Sequence, residues 1–398
     1  MPGQFLSPDG DLESAFVSDP AIIDQFAKTG SLWGWGHGTL GELGDNTSVS
    51  KSYPVQTISM STNWKIVSCG RYASGGIKTD GTLWTWGYND YGGQLGLGDM
   101  TGRSSPTQVG SATTWTLIDS GTYMMAAIKT DGTLWTWGNN LQGQLGDNTT
   151  TNRSSPVQIL GAGNTWKQVS CWDGMAAIKT DGTLWLWGMN QFGELGNNTS
   201  GSGGPDTSTS SPVQTVSAGT NWKFVSRGAV MAGAIKTDGT LWLWGRNNYG
   251  QLGDNTTDDK SSPVQTVAGG TNWKYIVCGQ LLSAAIKSDG TLWTWGINSQ
   301  GQLGIGTSGG THKSSPVQTV AGGSNWKMVD CRENSAAAIK TDGTLWTWGY
   351  NFYGGLGDNT TTNRSSPVQI PGNNWKMVNA GRYYMAAVHF YDAGNLYP

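Results

Sequence analysis

The chain has 398 residues, and its 24 Lys and Arg nearly balance its 27 Asp and Glu. The resulting net charge of −3 excludes the strong positive field expected of a protein that binds nucleic acid or an anionic membrane surface. With 22 Trp, 61 Gly and only 13% charged residues, the composition excludes an intrinsically disordered chain, and apolar runs of strand length predict no membrane insertion.

Residues 1–30 precede the regular part of the chain. They carry several acidic residues, among them Asp9 and Asp19, and they lack the apolar stretch of a secretory signal. We therefore predict a cytoplasmic or virion location. The pattern over 19–26 favours a short capped helix. We interpret the segment either as an arm that docks the rest of the chain to an assembly or as a plain lead-in.

One sequence motif, Leu-Trp-x-Trp-Gly, recurs along the chain at intervals of about fifty residues. A repeat of this length is typical of solenoids and propellers. It indicates a single repetitive domain over residues 31–390 and leaves residues 391–398 as a C-terminal tail. The seven copies begin at Leu32, Leu83, Leu134, Leu184, Leu241, Leu292 and Leu345.

Each repeat contains four short β-rich runs separated by Gly, Asp, Asn and Ser, which is a strand pattern. Four antiparallel strands repeated seven times predict an all-β fold, a seven-bladed propeller. The two Trp of each motif point to the same face of the third strand, so we place both between neighbouring blades. The Asp-Gly step between the second and third runs, as at Asp181 and Gly182, predicts a type I′ hairpin.

The two ends of the chain are predicted to share one blade. The pattern starts with a third strand at 31–36, and it finishes with a first strand at 375–378 and a second strand at 385–388. Together these runs complete one four-stranded sheet. That arrangement closes the ring and removes the open sheet edges that would favour aggregation.

Cys, His and Asp, which form many catalytic and metal sites, either occupy the same position in several repeats or are scattered along the chain. The Cys share one position, where other repeats have Ser120, Arg227 and Ala380, so we predict buried reduced thiols rather than a disulfide or metal site. Asp-Asn-Thr triplets, as at Asp147, are interpreted as turns rather than calcium ligands. We therefore predict no catalytic centre, metal or cofactor. The residues concerned are Cys69, Cys171, Cys278 and Cys331, with His37, His312 and His389.

The segments 86–96 and 137–146 join Trp-Gly-x-Asn to Gly-Gln-Leu-Gly, and they resemble the repeat of the regulator of chromosome condensation family. The resemblance covers about residues 31–390. It implies a seven-bladed propeller that binds another protein with one face, because members include an exchange factor for a small GTPase, a β-lactamase inhibitor and repeat proteins of bacteria and phages. The family's His between the first two strands is absent here, and the near-identical repeats resemble the bacterial and phage members most.

Irregular residues gather in the loops between first and second strands and between third and fourth strands, which lie on the same face. Trp172 is the sharpest case, because it is the only Trp outside the repeat pattern. Trp, Tyr and Arg are enriched in binding hot spots, so we predict a partner-binding rim, with packing over the propeller mouth as the alternative. The rim residues are Trp172, Arg71, Tyr72, Tyr123, Asp173, Arg332, Glu333, Arg382, Tyr383, Tyr384, Tyr91, Phe192, Tyr249 and Tyr353.

The function predicted from these observations is that of a non-enzymatic binding or structural protein, with a protein or a glycan as partner and no nucleic acid. The preferred setting is a phage virion, where the chain would be a decoration, tail-fibre or attachment protein contacting a virion or host surface protein. One alternative is a soluble inhibitor or regulator of a partner enzyme or GTPase. Another is polysaccharide binding or cleavage, for which the irregular acids are Asp90, Asp173 and Glu333.

Overall fold

The computed structural model describes residues 30–159, 163–201, 207–217 and 219–390. The regular structure in these ranges is β-strand, and they contain no helix with the length and apolarity to cross a membrane. The predicted arm, helix and C-terminal tail lie outside the described residues, apart from Gly30. In chain order the strands are β1 (Gly30–Gly36), β2 (Lys51–Gln56), β3 (Trp64–Cys69), β4 (Ala73–Lys78), β5 (Leu83–Gly87), β6 (Arg103–Gln108), β7 (Trp115–Ser120), β8 (Met124–Lys129), β9 (Leu134–Gly138), β10 (Arg153–Gln158), β11 (Trp166–Cys171), β12 (Gly174–Lys179), β13 (Leu184–Gly188), β14 (Thr209–Gln214), β15 (Trp222–Arg227), β16 (Met231–Lys236), β17 (Leu241–Gly245), β18 (Lys260–Gln265), β19 (Trp273–Cys278), β20 (Leu282–Lys287), β21 (Leu292–Gly296), β22 (Lys313–Gln318), β23 (Trp326–Cys331), β24 (Ser335–Lys340), β25 (Leu345–Gly349), β26 (Arg364–Ile370), β27 (Trp375–Ala380) and β28 (Tyr384–Phe390).

These strands form seven four-stranded antiparallel blades, which confirms the predicted propeller. Six blades use consecutive strands: β3–β6 (blade 1), β7–β10 (blade 2), β11–β14 (blade 3), β15–β18 (blade 4), β19–β22 (blade 5) and β23–β26 (blade 6). The closing blade has the order β27, β28, β1, β2, and β28 pairs with β1 from Gly30–Phe390 to Gly36–Tyr384. The chain ends therefore share one blade, as predicted, and their pairing leaves neither strand as an open edge.

The second Trp of each repeated motif packs between neighbouring blades. Trp86 in blade 1 is fully buried, and its Nε1 donates to the Glu42 carbonyl of the closing blade at 2.8 Å. The first Trp behaves differently, so the prediction that both lie buried between blades is wrong for it. Trp84 is only partly buried, donates to Thr82 Oγ1 at 2.8 Å and lies 4.0 Å from the Lys78 ammonium, which covers its ring.

The Asp-Gly hairpin differs from the predicted type I′ turn. Of the two central residues only Gly81 has a positive φ, at 76°. Its N–H donates to the Lys78 carbonyl at 2.9 Å, and Lys78 N–H donates to Thr82 at 3.1 Å, which is a type I turn followed by a glycine bulge. The Asp80 carboxylate accepts hydrogen bonds from both the N–H and the hydroxyl of Thr82, so Asp80 stabilises this longer loop.

The four Cys lie where the innermost strands end, next to the propeller axis. All four are buried and free, in agreement with the predicted reduced thiols, and burial raises the pKa of Cys69 and Cys278 to about 12. The Asp-Asn-Thr triplets are turns, as predicted: at Asp147 the carboxylate accepts the Thr149 N–H at 3.1 Å. In the described part of the chain no three His, Cys, Asp or Glu are grouped to hold a metal ion.

A ring of hydrogen bonds around the axis joins five of the seven blades to the next blade, and sequence reasoning missed it. In these five blades the side chain of the residue before the Cys position accepts the backbone N–H at that position in the following blade. Asp119 accepts from Cys171 at 2.7 Å, and Asp330 accepts from Ala380 at 2.6 Å. Ser170, Ser226 and Asn379 play the same part toward Arg227, Cys278 and Cys69. These polar side chains satisfy buried N–H groups that the sheets leave unpaired.

Candidate functional site

One face of the propeller carries both kinds of irregular loop, as predicted, and we call it the loop face. In most blades the first-to-second loop and the third-to-fourth loop are joined by a backbone hydrogen bond. Tyr88 N–H donates to the Tyr72 carbonyl at 2.9 Å in blade 1, and Asn139 N–H donates to Tyr123 at 2.8 Å in blade 2. The opposite face carries the Asp-Gly turns and the connections between blades.

Tyr and Phe rings form two groups that together span four neighbouring blades of the loop face. Ring centroids are 4.4 Å apart for Tyr91 and Tyr123, and 6.3 Å apart for Tyr123 and Tyr72. On the other side Tyr353 lies 5.2 Å from Tyr383. The two groups extend from blade 2 through blade 1 and the closing blade to blade 6. We call them together the aromatic arc and define it as Tyr91, Tyr123, Tyr72, Tyr383, Tyr350, Tyr353 and Phe352.

A charged cluster connects the two halves of the aromatic arc. The Arg382 guanidinium lies 5.4 Å from the Tyr72 ring and 4.8 Å from the Tyr383 ring, and it donates to the Tyr72 hydroxyl. The buried Glu333 carboxylate accepts from Arg382 Nε at 2.9 Å and lies 3.5 Å from Arg71 Nε. One buried carboxylate thus fixes two arginines against the arc, which holds these rings in place.

Four of the predicted rim residues are buried, so the expectation that they are exposed is wrong. Trp172 is 6% exposed because the Arg332 guanidinium covers its ring at 4.3 Å. Arg332 in turn reaches across the axis and donates to the carbonyls of Cys69 and Ser120. These two side chains cover the mouth of the axial channel, which is the packing alternative. Glu333 and Tyr384 are buried as well.

Two further predicted residues lie apart from the aromatic arc. Phe192 in blade 3 packs beneath the Arg246 guanidinium at 4.6 Å, and Tyr249 in blade 4 packs on His312 at 4.9 Å. Both are half-buried. The single rim expected from the sequence is therefore an arc over four blades with two separate aromatic contacts beyond it.

The most exposed apolar side chains of the loop face were left out of the predicted set. Phe352 is 64% exposed and Leu141 is 62% exposed, and both follow the repeated Asn of the third-to-fourth loop. Comparing the two residues after that Asn in every copy would have found them. In blades 6, closing, 1 and 2 these loop tips expose Phe352, Tyr353, Leu40, Tyr91 and Leu141, although the closing blade has Gly38 in place of the Asn. In blades 3, 4 and 5 they expose Gln191, Asn248 and Ser299, and the aromatic residues there, Phe192 and Tyr249, are half-buried.

A groove of about 730 Å³ lies elsewhere, where the ring closes between the closing blade and blade 6. It is lined by strand residues, among them Trp33 and Trp375, and by residues 357–359 of the third-to-fourth loop of blade 6. In the other blades a Lys ammonium covers such a pair of indoles, but His389 occupies the Lys position here and packs on Trp375 at 4.9 Å. The groove contains no residue of the aromatic arc.

Comparisons with known proteins agree with this architecture. A model of RCC1-like domains matches residues 31–387. The ultraviolet-B receptor UVR8 of Arabidopsis thaliana is 29% identical over 355 residues, which cover 84% of this chain and 64% of that protein. The human E3 ubiquitin-protein ligase HERC2 is 25% identical over 359 residues, 88% of this chain but 6% of that protein. The chain thus spans less than two thirds of the length of either relative.

Solved structures show the same fold. Yeast RCC1 (Prp20), in a crystal structure bound to Kap60, superposes with a TM-score of 0.81 at 16% identity, covering 99% of this chain and 97% of that one. Human WBSCR16 superposes with a TM-score of 0.79 at 19% identity, covering 91% and 99%. At this level of identity the likeness establishes the fold alone.

Proposed function

The chain belongs to the RCC1-like domain family, and we propose that it is a non-enzymatic binding module that holds a protein partner on the aromatic arc. One observation carries this proposal: exposed apolar residues occupy the third-to-fourth loop tips of four neighbouring blades, while the equivalent tips of the other three blades are polar or covered. A scaffold requirement would repeat around the ring, so an asymmetric apolar surface supports a role in recognition.

The chemistry of the aromatic arc suits a protein surface. Tyr and Arg are among the residues that dominate binding energy at protein interfaces. The contacts of Glu333 with Arg71 and Arg382 hold side chains on the arc in place before a partner arrives, and such preorganisation lowers the entropic cost of binding.

The structural neighbours support the same class of partner. Yeast Prp20 has been crystallised bound to Kap60, and its binding to Gsp1p and to histones has been described; all of these partners are proteins. The role of regulator or inhibitor of a partner enzyme or GTPase is compatible with an arc-bound protein. Cleavage of a polysaccharide finds less support, because Glu333 is occupied by two arginines and Asp90 is exposed on a different blade.

For the setting we keep the predicted phage virion, where the arc would contact a virion or host surface protein. The near-identical Thr-, Asn- and Gly-rich repeats are its support. Electron microscopy of purified particles, with labelled antibody against the chain, tests it. Particles that carry no label would contradict a virion role and leave the arc proposal intact.

We expect the double substitution Phe352→Ser and Tyr353→Ser to weaken partner binding at least about tenfold, because hot-spot side chains each contribute about 2 kcal/mol or more. The partner is captured with the full chain, purified, and its Kd is measured by calorimetry with each variant. These two residues belong to the exposed end of the arc, so their loss should leave the melting temperature unchanged.

The matched control is the double substitution Val267→Ser and Val320→Ser. These valines are exposed to a similar degree, 53% and 56%, but they lie in connections between blades on the opposite face. The control should bind like the wild type. Equal Kd values for the arc variant and the wild type would refute binding by the arc, whatever the partner is.

A further inference from the structure

A small pocket opens on the loop face between blades 1, 2 and 3, next to the end of the aromatic arc. It has a volume of about 310 Å³. The Tyr91–Tyr123 pair and Trp172 form its aromatic walls, and Asn139 and Asp173 supply polar groups. A cavity of this size lies at the lower end of small-molecule sites and accommodates a single ring.

One variable position of the third-to-fourth loop shapes the pocket in blade 2. The residue after the Gly of Leu-Trp-x-Trp-Gly is Tyr88 in blade 1 and Tyr350 in blade 6, and their rings pack on Tyr72 at 6.3 Å and on Tyr383 at 5.5 Å. Blade 2 has Asn139 there. The shorter side chain leaves open the volume that a ring fills in the other two blades.

Asn139 also brings an unused hydrogen-bonding group. The residue is 6% exposed, and its Oδ1 accepts from Gln144 Nε2 at 2.9 Å. Its Nδ2 has no hydrogen-bond partner among the described residues. A buried amide donor without an acceptor costs free energy, which a ligand oxygen in the pocket would recover.

The second polar group of the pocket is the Asp173 carboxyl. Burial raises its pKa above the ordinary value, although Thr122 and three arginines, Arg227, Arg332 and Arg71, act in the opposite direction. Asn139 Nδ2 offers a donor and the Asp173 carboxyl offers an acceptor on the wall of the same pocket. A ligand that carries both an acceptor oxygen and a hydroxyl group matches both.

We propose that this pocket binds one neutral sugar ring, such as a hexopyranose or its N-acetylated form. A sugar oxygen accepts from Asn139 Nδ2, a sugar hydroxyl donates to Asp173, and the apolar face of the ring lies against the aromatic walls. The site adds a glycan-binding activity to the protein-binding function proposed for the arc, and it does not depend on that function.

The test uses the full chain and a panel of glucose, galactose, mannose and N-acetylglucosamine, titrated by saturation-transfer NMR. At least one sugar should bind saturably with a Kd on the order of 1 mM, equivalent to about −4 kcal/mol. Asn139→Tyr, which inserts the ring found in blades 1 and 6, should abolish binding. Asn139→Ala, which removes only the donor, should weaken it about tenfold.

The matched control is Ile297→Tyr, which introduces a Tyr ring at the equivalent position of blade 5 and should leave sugar binding intact. Absence of saturable binding by every sugar of the panel would overturn the proposal. So would unchanged affinity in Asn139→Ala and Asn139→Tyr, because the sugar would then bind elsewhere. Binding of N-acetyl-glutamine amide in place of every sugar would identify a peptide side-chain pocket and contradict a glycan site.

Discussion

Replacing Trp295 with alanine is expected to lower the free energy of unfolding by about 3–5 kcal/mol, the usual cost of truncating a fully buried aromatic side chain. Trp295 has no exposed surface and lies 6.2 Å from the Trp273 ring. Its Nε1 donates across the blade boundary to the Gln251 carbonyl at 2.8 Å. Alanine would leave a cavity between blades 4 and 5 and a buried carbonyl with one donor fewer.

The control is Trp293→Ala, in the same strand two residues earlier. Trp293 is partly exposed and bonds to Thr291 within its own hairpin at 2.8 Å, so we expect a smaller loss of roughly 1–2 kcal/mol. Urea unfolding of both variants, followed by circular dichroism, measures the difference. Equal losses would show that the second Trp of the repeat has no special role between blades.

Asp330→Asn is expected to stabilise the protein at pH 8 and to leave its stability nearly unchanged at pH 4. Asp330 lies in the ring of hydrogen bonds at the axis, where burial raises its pKa from 3.8 to about 7. Asp119, itself shifted upward by burial, faces it and adds to the increase, whereas Arg332 opposes it. An uncharged amide removes the cost of burying this carboxylate.

The sign of the effect follows from the two pKa values. Well below pH 3.8 the carboxyl is protonated in both the folded and the unfolded chain, so it contributes nothing to the pH dependence there. Between pH 4 and 7 the unfolded chain ionises first, so the wild type loses stability as the pH rises. Above pH 7 the loss is constant and reaches at most about 4 kcal/mol, at about 1.4 kcal/mol for each pH unit.

Asparagine is tolerated at this position, since Asn379 of the closing blade accepts the Cys69 N–H in the same way. Unfolding of wild type and Asp330→Asn is measured from pH 4 to pH 8. Asp131→Asn is the control of opposite sign, because hydrogen bonds from Thr133 lower the pKa of Asp131 and favour its ionised form. A difference between wild type and Asp330→Asn that does not change with pH would contradict the prediction.

The local sequence pattern was enough to predict the seven-bladed propeller, although not all of its details. Strand order and ring closure followed from the spacing of the repeats. The turn type of the Asp-Gly hairpin was predicted wrongly because Asp-Gly fits two turn types. The choice between them depends on the length of the loop between the last paired residues, Lys78 and Thr82. The two Trp of each motif were both predicted to lie between blades, because strand alternation gives the face on which a side chain lies but not how deeply it is buried.

The sequence by itself determined the repeated scaffold, because strand alternation and turn chemistry act over a few residues and recur in every copy. Only the tertiary structure decided which irregular side chains face solvent. Arg382 meets Tyr72 across 310 positions of sequence, and Arg332 covers Trp172 from another blade. Such contacts exist only after the ring has closed, since closure alone brings the loops of distant repeats around one axis. Loop composition therefore predicted which face carries the irregular loops, and packing between blades decided which of their side chains are exposed.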